Sequence, residues 1–231
     1  MAQSDSRYLT FMYNESVKPL TGYPQKLARH LSQHFRMKKN DRILDVGCGR
    51  GEMSRSFQEL GLRVSAVDIS DMALEYAPTI DFRVADIDGR LPFESDSFDI
   101  VFSKSVVEHL HRPEDLMAEI YRILRPGGRV ITICPSWIHQ YREFYSDYTH
   151  RRPFTKESLS MVQSISGFRE VRTEYFRQIP VIWRIPSLLV LSEITRMLVP
   201  RAIGRGIKWV RFSREIMLLS VGVKPLPESL K

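Results

Sequence analysis

Cysteine is scarce in this sequence: Cys48 and Cys134 are the only two in 231 residues. Both sit in apolar strand contexts without C-x-x-C or Cys/His spacing. That argues against a disulfide framework and a structural zinc, and it fits a reducing cytosol. The opening stretch, MAQSDSRYLTFMYNE, lacks a basic start followed by an apolar run, so no signal peptide is expected. No G-K-[ST] follows the glycine-rich stretch near residue 50, so triphosphate binding through a P-loop is excluded. The most apolar segment, Ile179–Pro200, is interrupted by Arg184, Glu193, Arg196, Pro180 and Pro186. It cannot form the apolar helix of ~20 residues that a membrane span requires. No repeat, low-complexity tract or convincing linker is present, so residues 1–231 read as one domain.

Hydrophobic residues make up 43%, enough for a sizeable core. The net charge of +7 is uneven: residues 1–168 hold 22 Lys+Arg against 22 Asp+Glu, and residues 169–231 hold 12 against 5. A neutral body with a basic tail points to an anionic partner at the tail: a membrane surface, nucleic acid or an acidic substrate. The plainer reading is a solvated surface whose Arg stems cover core.

Along the chain, residues 24–35 read as an amphipathic helix with Leu27, Leu31 and Phe35 on one face. Strand and helix signals then alternate. Strands are expected at Arg42–Val46, Arg63–Val67, Asp81–Ala85, Phe98–Phe102 and Arg129–Cys134. Helices are expected at Glu52–Leu60, Asp71–Ala77 and Pro113–Leu124, the last closed by Pro126-Gly127-Gly128. Such alternation implies a parallel sheet covered on both faces. Residues 136–154 are aromatic, basic and irregular. Thr155 can cap a helix running to Ile165. Phe168–Phe176 and Glu215–Val223 read as the last two strands, with an apolar and basic insertion at 178–214 between them.

The stretch ILDVGCGRGEM, residues 43–53, places three glycines directly after a strand. Gly47, Gly49 and Gly51 allow a tight turn and close ligand approach. Dinucleotide folds use G-x-G-x-x-G to seat a pyrophosphate on a helix N-terminus. Here the pattern is D-x-G-x-G-x-G, and an acid in that place would repel a pyrophosphate and attract a cationic group. Asp68 ends the second strand, where a carboxylate accepts ribose hydroxyls. Asp86 follows the third, placed to accept from an adenine amino group. Three acids at successive strand ends describe a nucleoside that carries positive charge instead of phosphates.

DVGCGRG, AVDIS, ADIDGRLPFESDSFDIVFSKSVVEHL and RILRPGG, in unbroken order from Ile43 to Val130, resemble the motifs of class I S-adenosylmethionine-dependent methyltransferases of the type 11, small-molecule group. The resemblance implies a Rossmann-like α/β fold with a seven-stranded, mostly parallel sheet in order 3-2-1-4-5-7-6 and the last strand antiparallel. The cofactor implied is S-adenosyl-L-methionine. By motif match, Gly47, Cys48, Gly49 and Gly51 approach it and Asp45 faces its amino-acid end. Asp68 with Ile69 holds the ribose, and Asp86 with Ile87 frames the adenine. Ser103 and Lys104, after the fourth strand, line the methionine side. Residues 1–40 form an N-terminal lid and helix, 41–135 the cofactor-binding core and 136–166 the acceptor side. Among Tyr8, Phe11, Tyr13 and Tyr23, Tyr13 is the expected cofactor contact.

Methyl transfer from a sulfonium needs acceptor and methyl held in line, and a hydroxyl acceptor also needs a base. His109 follows the fourth strand. The stretch YSDYTHRRPFT, residues 145–155, resembles an element of sugar and lipid-linked-glycan methyltransferases. In it, Asp147 and His150 are candidates for an oriented base pair, and Tyr145, Arg151 and Arg152 for acceptor binding. Asp147 and His150 alone make a poor metal site, so no metal is expected.

In the insertion, Val190, Leu191, Ile194, Met197 and Leu198 recur at helical spacing, widened by Leu188 and Leu189. Residues 201–214 follow with five basic residues and two large aromatics. This suits a headgroup boundary, with Trp183 and Trp209 as anchors and residues 184–214 as the contact. A substrate lid or homodimer surface is the competing reading, and nucleic acid fits less well because no RNA-recognition motif is present. The expected activity is O-methylation of a sugar or isoprenoid-linked acceptor, in the cytoplasm at the inner membrane face. The alternatives are a soluble small-molecule or RNA methyltransferase, or a cofactor-binding regulatory subunit without turnover.

Overall fold

The computed structural model describes residues 11, 15–16, 19–200 and 206–227. Seven strands form one sheet: β1 (Arg42–Val46), β2 (Arg63–Asp68), β3 (Asp81–Val84), β4 (Phe98–Lys104), β5 (Leu124–Pro135), β6 (Arg169–Arg177) and β7 (Ile216–Val223). Their order is β3-β2-β1-β4-β5-β7-β6, as expected. The first five run parallel, and β7 is antiparallel to both β5 and β6.

Period-two alternation divides the core. Leu44, Val46, Val101, Val130 and Leu218 face one side, where they meet Leu116, Met117 and Ile120 of α4 (Pro113–Ile123) and Leu159 of α6 (Lys156–Ile165). Ile43, Ile100, Phe102, Ile131 and Leu219 face the other. There Leu27, Ala28 and Leu31 of α1 (Tyr23–His34) cover them, together with Phe57 of α2 (Glu52–Glu59). Burying each such side chain stabilises the fold by roughly 1.5–3 kcal/mol.

Several boundaries differ from expectation. Between them, α3 is only Ala73–Tyr76. The fourth strand runs on to Lys104, so Ser103 and Lys104 are its last two residues. Pro126-Gly127-Gly128 does not close α4. It lies within β5, because Gly127 N–H donates to the Lys224 carbonyl at 2.8 Å and Lys224 N–H to that of Gly128 at 2.8 Å. Thr155 does cap α6, through a reciprocal capping box with Ser158. The irregular stretch after β5 holds α5 (Trp137–Gln140) and a short 3-10 turn at Phe144–Ser146. The insertion folds as α7 (Pro180–Arg184), α8 (Leu188–Leu198) and α9 (Lys208–Arg214). No helix among the described residues is long and apolar enough to cross a membrane.

Candidate active site

The glycine corner is built as the sequence suggests. Gly47, Gly49 and Gly51 have φ of +71°, +56° and +72°, all left-handed. At Gly47 there is a second constraint: a Cβ would lie 2.3 Å from Val106 Cγ2. The turn is tied to β2, because Gly49 N–H donates to Asp68 Oδ2 at 2.8 Å and Ser70 N–H to Oδ1 at 2.9 Å. Asp68 therefore holds the loop as well as facing it. Burial still pushes its carboxyl upward.

Asp45 is buried at the end of β1 and accepts from Ser54 Oγ at 2.6 Å. Burial raises its pKa to about 7, against the Ser54 hydrogen bond and with the Asp68 charge adding to the rise. Lys104 lies in the fields of Glu108, Glu52 and Asp45, and its own burial lowers its pKa. The buried Ser103 hydroxyl has no hydrogen-bond partner among the described residues. Cys48 is half-buried, its thiol pushed upward by burial and by the Asp45 and Asp68 charges. Ile69 is half-buried beside Asp68. Asp86 is exposed and accepts from Asp88 N–H at 3.0 Å, while Ile87 packs against the core. Tyr8 and Tyr13 lie outside the described residues. Phe11 is exposed, and Tyr23 packs on Trp183 and donates to Gln178 Oε1 at 3.2 Å, so Tyr23 belongs to the α1 packing instead of a lid.

This donor set fits an amino-acid nucleoside. Asp45 and Lys104 present both charges that an amino acid's two ends require. Asp68 keeps a second lone pair on each oxygen for hydroxyls, and Ser103 has an unused hydroxyl. Arg50 is the large side chain that sequence reasoning missed: fully buried, it pairs with Glu52 at 2.8 Å and lies over the Tyr76 ring.

The loop after β4 brings the acceptor side together. Ser105 takes φ +57°, an uncommon backbone for a serine, and so turns Val106 onto Gly47. Glu108 then enters the interior. The His109 and His150 rings meet at a tilt of 60° with centroids 4.7 Å apart, although 41 positions separate them in sequence. His109 Nδ1 meets Thr149 Oγ1 at 2.9 Å, and Thr149 donates to Asp147 Oδ1 at 2.6 Å. His150 Nδ1 donates to the Phe144 carbonyl at 2.6 Å, and its Nε2 is 3.9 Å from Asp147 Oδ2. His109 is held well below the usual histidine range, at about 4, by burial and by the neighbouring His150. Glu108 is raised to about 8, chiefly by burial.

Asp147 and His150 are thus neighbours, with the His150 N–H donating to the Asp147 carbonyl at 3.2 Å, but their side chains stay 3.9 Å apart, and the Asp147 carboxylate orients His109 through Thr149. Arg152 commits two of its donors within the protein: Nε and Nη2 both donate to the His111 carbonyl, at 3.0 and 2.8 Å. The Arg151 side chain is exposed, and its backbone N–H donates to the Glu108 carbonyl at 2.7 Å. Tyr145 is exposed against Trp137 and Phe144. Glu108 was missed in the sequence. The signal was its place beside His109 in VVEHL, but its burial was not legible there.

Residues 44–132 match a protein family described as a methyltransferase domain. Malonyl-[acyl-carrier protein] O-methyltransferase of Salmonella typhimurium is 31% identical over 139 residues, which cover 56% of this chain and 55% of that protein. Phosphoethanolamine N-methyltransferase 2 of Caenorhabditis elegans is 29% identical over 168 residues, covering 66% of this chain and 38% of that protein. The matches thus span about half or less of these curated relatives. Among solved structures, a SAM-dependent methyltransferase from Archaeoglobus fulgidus superposes with a TM-score of 0.67 at 21% identity, covering 93% of this chain and 99% of that one. Residues 44–132 thus carry a methyltransferase domain, and the strand order and glycine corner give the described chain the fold of S-adenosylmethionine-dependent methyltransferases.

Proposed function

We propose that this protein uses S-adenosyl-L-methionine to methylate a hydroxyl oxygen of a small or lipid-linked acceptor of sugar or isoprenoid type. Relatives of both the O- and N-methylating kind match the chain. The observation that favours oxygen is the proton-accepting cluster at the corner's edge. An amine attacks a methyl sulfonium with its own lone pair, whereas a hydroxyl must lose a proton as the bond forms. The cofactor supplies a methyl group on positively charged sulfur, already activated for displacement. Asp45 and Lys104 hold its amino-acid end, Asp68 and Ser103 its hydroxyl and polar groups, and the glycine corner lets its body approach the backbone. Because His150 Nδ1–H is committed to a carbonyl, Nε2 carries the lone pair, and His150 takes the acceptor proton there.

The insertion supports a docking role at an anionic lipid surface. Val190, Leu191, Ile194, Met197 and Leu198 of α8 are all exposed, and Arg184, Lys208 and Arg211 are exposed nearby. Trp183 and Trp209 do not serve as anchors, which corrects the sequence expectation. Trp183 Nε1–H donates to the Arg177 carbonyl and its ring stacks on His30; Trp209 Nε1–H donates to Thr195 Oγ1.

The test is release of S-adenosylhomocysteine with panels of hydroxyl and amine acceptors. Hydroxyl acceptors should turn over. His150→Ala should slow them by about 10²–10⁴-fold with cofactor affinity nearly unchanged. Turnover confined to amines, or a wild-type rate in His150→Ala, would overturn the oxygen reading.

A further inference from the structure

Glu108 is 1% exposed, and neither carboxylate oxygen has a hydrogen-bond partner among the described residues. Buried polar groups are normally satisfied, and an ionised carboxylate most of all. The two imidazoles facing it offer no proton, and only the Glu108 and Val106 backbone N–H groups, with the Lys104 charge, favour its charged form. One ligand atom each from Glu108, His109 and His150 lie within 4.8 Å of one another. Thr149 gives its hydroxyl proton to Asp147, so it can only accept from His109, and His109 Nδ1 carries the hydrogen. A carbonyl can only accept, so His150 Nδ1 carries one too. In both rings the lone pair therefore sits on Nε2. Two imidazoles oriented through their Nδ1 hydrogens, one by a hydroxyl–carboxylate relay and one by a backbone carbonyl, are arranged as metal-ligating histidines are. Lys104 is the cation nearest in kind. It feels the Glu108 charge but makes no hydrogen bond to it.

We infer that Glu108, His109 and His150 form a binding site for a divalent transition cation such as Mn²⁺, Co²⁺ or Zn²⁺. Two imidazoles and one carboxylate suit these ions and leave coordination positions open. Bonds of about 2.1 Å require the three side chains to draw inward by small rotations. The site abuts the glycine corner, because Val106, two residues before Glu108, packs on Gly47. This inference rests on the reading above in one respect: the open position faces the acceptor. A hydroxyl bound there becomes more acidic. With a cation bound, the Nε2 lone pair of His150 would be occupied, so the base role given to His150 above would pass to Asp147, whose Oδ2 lies 3.9 Å from His150 Nε2.

The test uses the full chain, treated with chelator and titrated with Co²⁺ alone while its visible absorption and calorimetric heat are followed. One equivalent should bind and produce a d–d band. Glu108→Gln, which keeps the volume, should weaken Co²⁺ at least hundredfold, and His109→Ala should do the same. Thr149→Val keeps all three ligands but releases His109, and should cost about 10–100-fold. His111→Ala, an exposed histidine two residues from His109, should change nothing. S-adenosyl-L-methionine affinity, measured on each variant, reports folding and tests the methyltransferase reading separately. Cofactor binding without any Co²⁺ binding at millimolar concentration overturns the cation site and leaves His150 as the base. Co²⁺ binding that survives Glu108→Gln also overturns it. Co²⁺ binding lost in Glu108→Gln supports the site when that variant keeps the wild-type circular dichroism and urea melt, whether or not the wild-type protein binds the cofactor.

Discussion

Helices α1 and α8 carry the same spacing of apolar residues and face opposite ways. In α1, Leu27, Ala28 and Leu31 are buried against the sheet. In α8 the buried residues are Ser192 and Thr195, while Val190 and Leu198 are 64% and 74% exposed. The difference lies in what each helix meets. α1 meets Ile43, Ile131 and Leu219, which offer only hydrocarbon. α8 meets Arg177, whose Nε donates to Ser192 Oγ at 3.0 Å, and Trp209, whose indole N–H seeks Thr195. A buried guanidinium and a half-buried indole need acceptors, so α8 turns its hydroxyls inward. Periodicity reveals which residues share a face. The surface they meet decides where the face points.

The largest expected effect that sharpens this contrast is at Leu31. Leu31→Ala should destabilise the fold by about 2–5 kcal/mol, because the cavity under α1 cannot collapse against a close-packed sheet. Leu198→Ala in α8 should stay within about 0.5 kcal/mol. Urea melts of the two variants check this. Equal losses would mean that the outward face of α8 is covered by this chain itself.

How much could be read in advance follows the same division. The corner was legible because its meaning is local: D-x-G-x-G-x-G requires left-handed backbone, and Gly47, Gly49 and Gly51 all adopt it. The strand order was legible through family resemblance, and Thr155 through its capping chemistry. The Glu108–His109–His150 cluster was only half legible, since two loops about 40 residues apart build it and nothing local shows that Glu108 is buried. The Asp45 charge state was hidden too, because it depends on how deep the end of β1 lies. The Trp183 and Trp209 assignment failed for the reason α8 inverts: their indoles answer polar groups inside the insertion.

Asp45 extends the contrast to a buried group that lacks the acceptor-donor balance of Ser192. Its pKa rises from an ordinary 3.8 to about 7 in the fold. Between those values the native state holds a proton that the unfolded chain has lost. This group's contribution therefore falls as pH rises from about 4 to 7, by a few kcal/mol in order of magnitude, and levels off above. Asp45→Asn should flatten that slope relative to wild type, in urea melts at pH 5 and pH 8 without cofactor. Cofactor affinity should rise with pH over the same window in wild type, as the ionised carboxylate becomes available to an amino group, and should lose that dependence in Asp45→Asn. An unchanged slope would place Asp45 among ordinary ionised carboxylates.

Ser192 gives the next smaller effect. Its hydroxyl accepts from Arg177 and donates to Ser213 Oγ at 2.9 Å. Ser192→Ala removes one of the acceptors that keep Arg177 satisfied, while Glu193 still pairs with that guanidinium. The cost should be about 1–3 kcal/mol, and local hydrogen exchange should accelerate in α8 and α9 before it does in the sheet. A loss confined to the sheet would break the account of why α8 faces outward.

The smallest effect on stability, and the one that decides what the outward face is for, comes from Val190→Ser with Leu198→Ser. Both side chains project into solvent, so melting should change by no more than about 0.5 kcal/mol. Vesicle binding should change completely. Exposed aliphatics supply the area that enters the headgroup boundary, and Arg184, Lys208 and Arg211 supply attraction of about 1 kcal/mol per charge near an anionic surface. Wild-type protein should therefore sediment with vesicles rich in anionic lipid at low salt, less so as salt shortens the screening length, and scarcely with neutral vesicles. The double variant should stay in the supernatant in all three cases while keeping its cofactor affinity. If wild-type protein ignores anionic vesicles and the double variant instead dissociates a dimer in sedimentation equilibrium, the face is an isologous contact between two copies of this chain. In that event the inversion of α8 serves assembly, and the basic residues beside it lie at the rim of that interface.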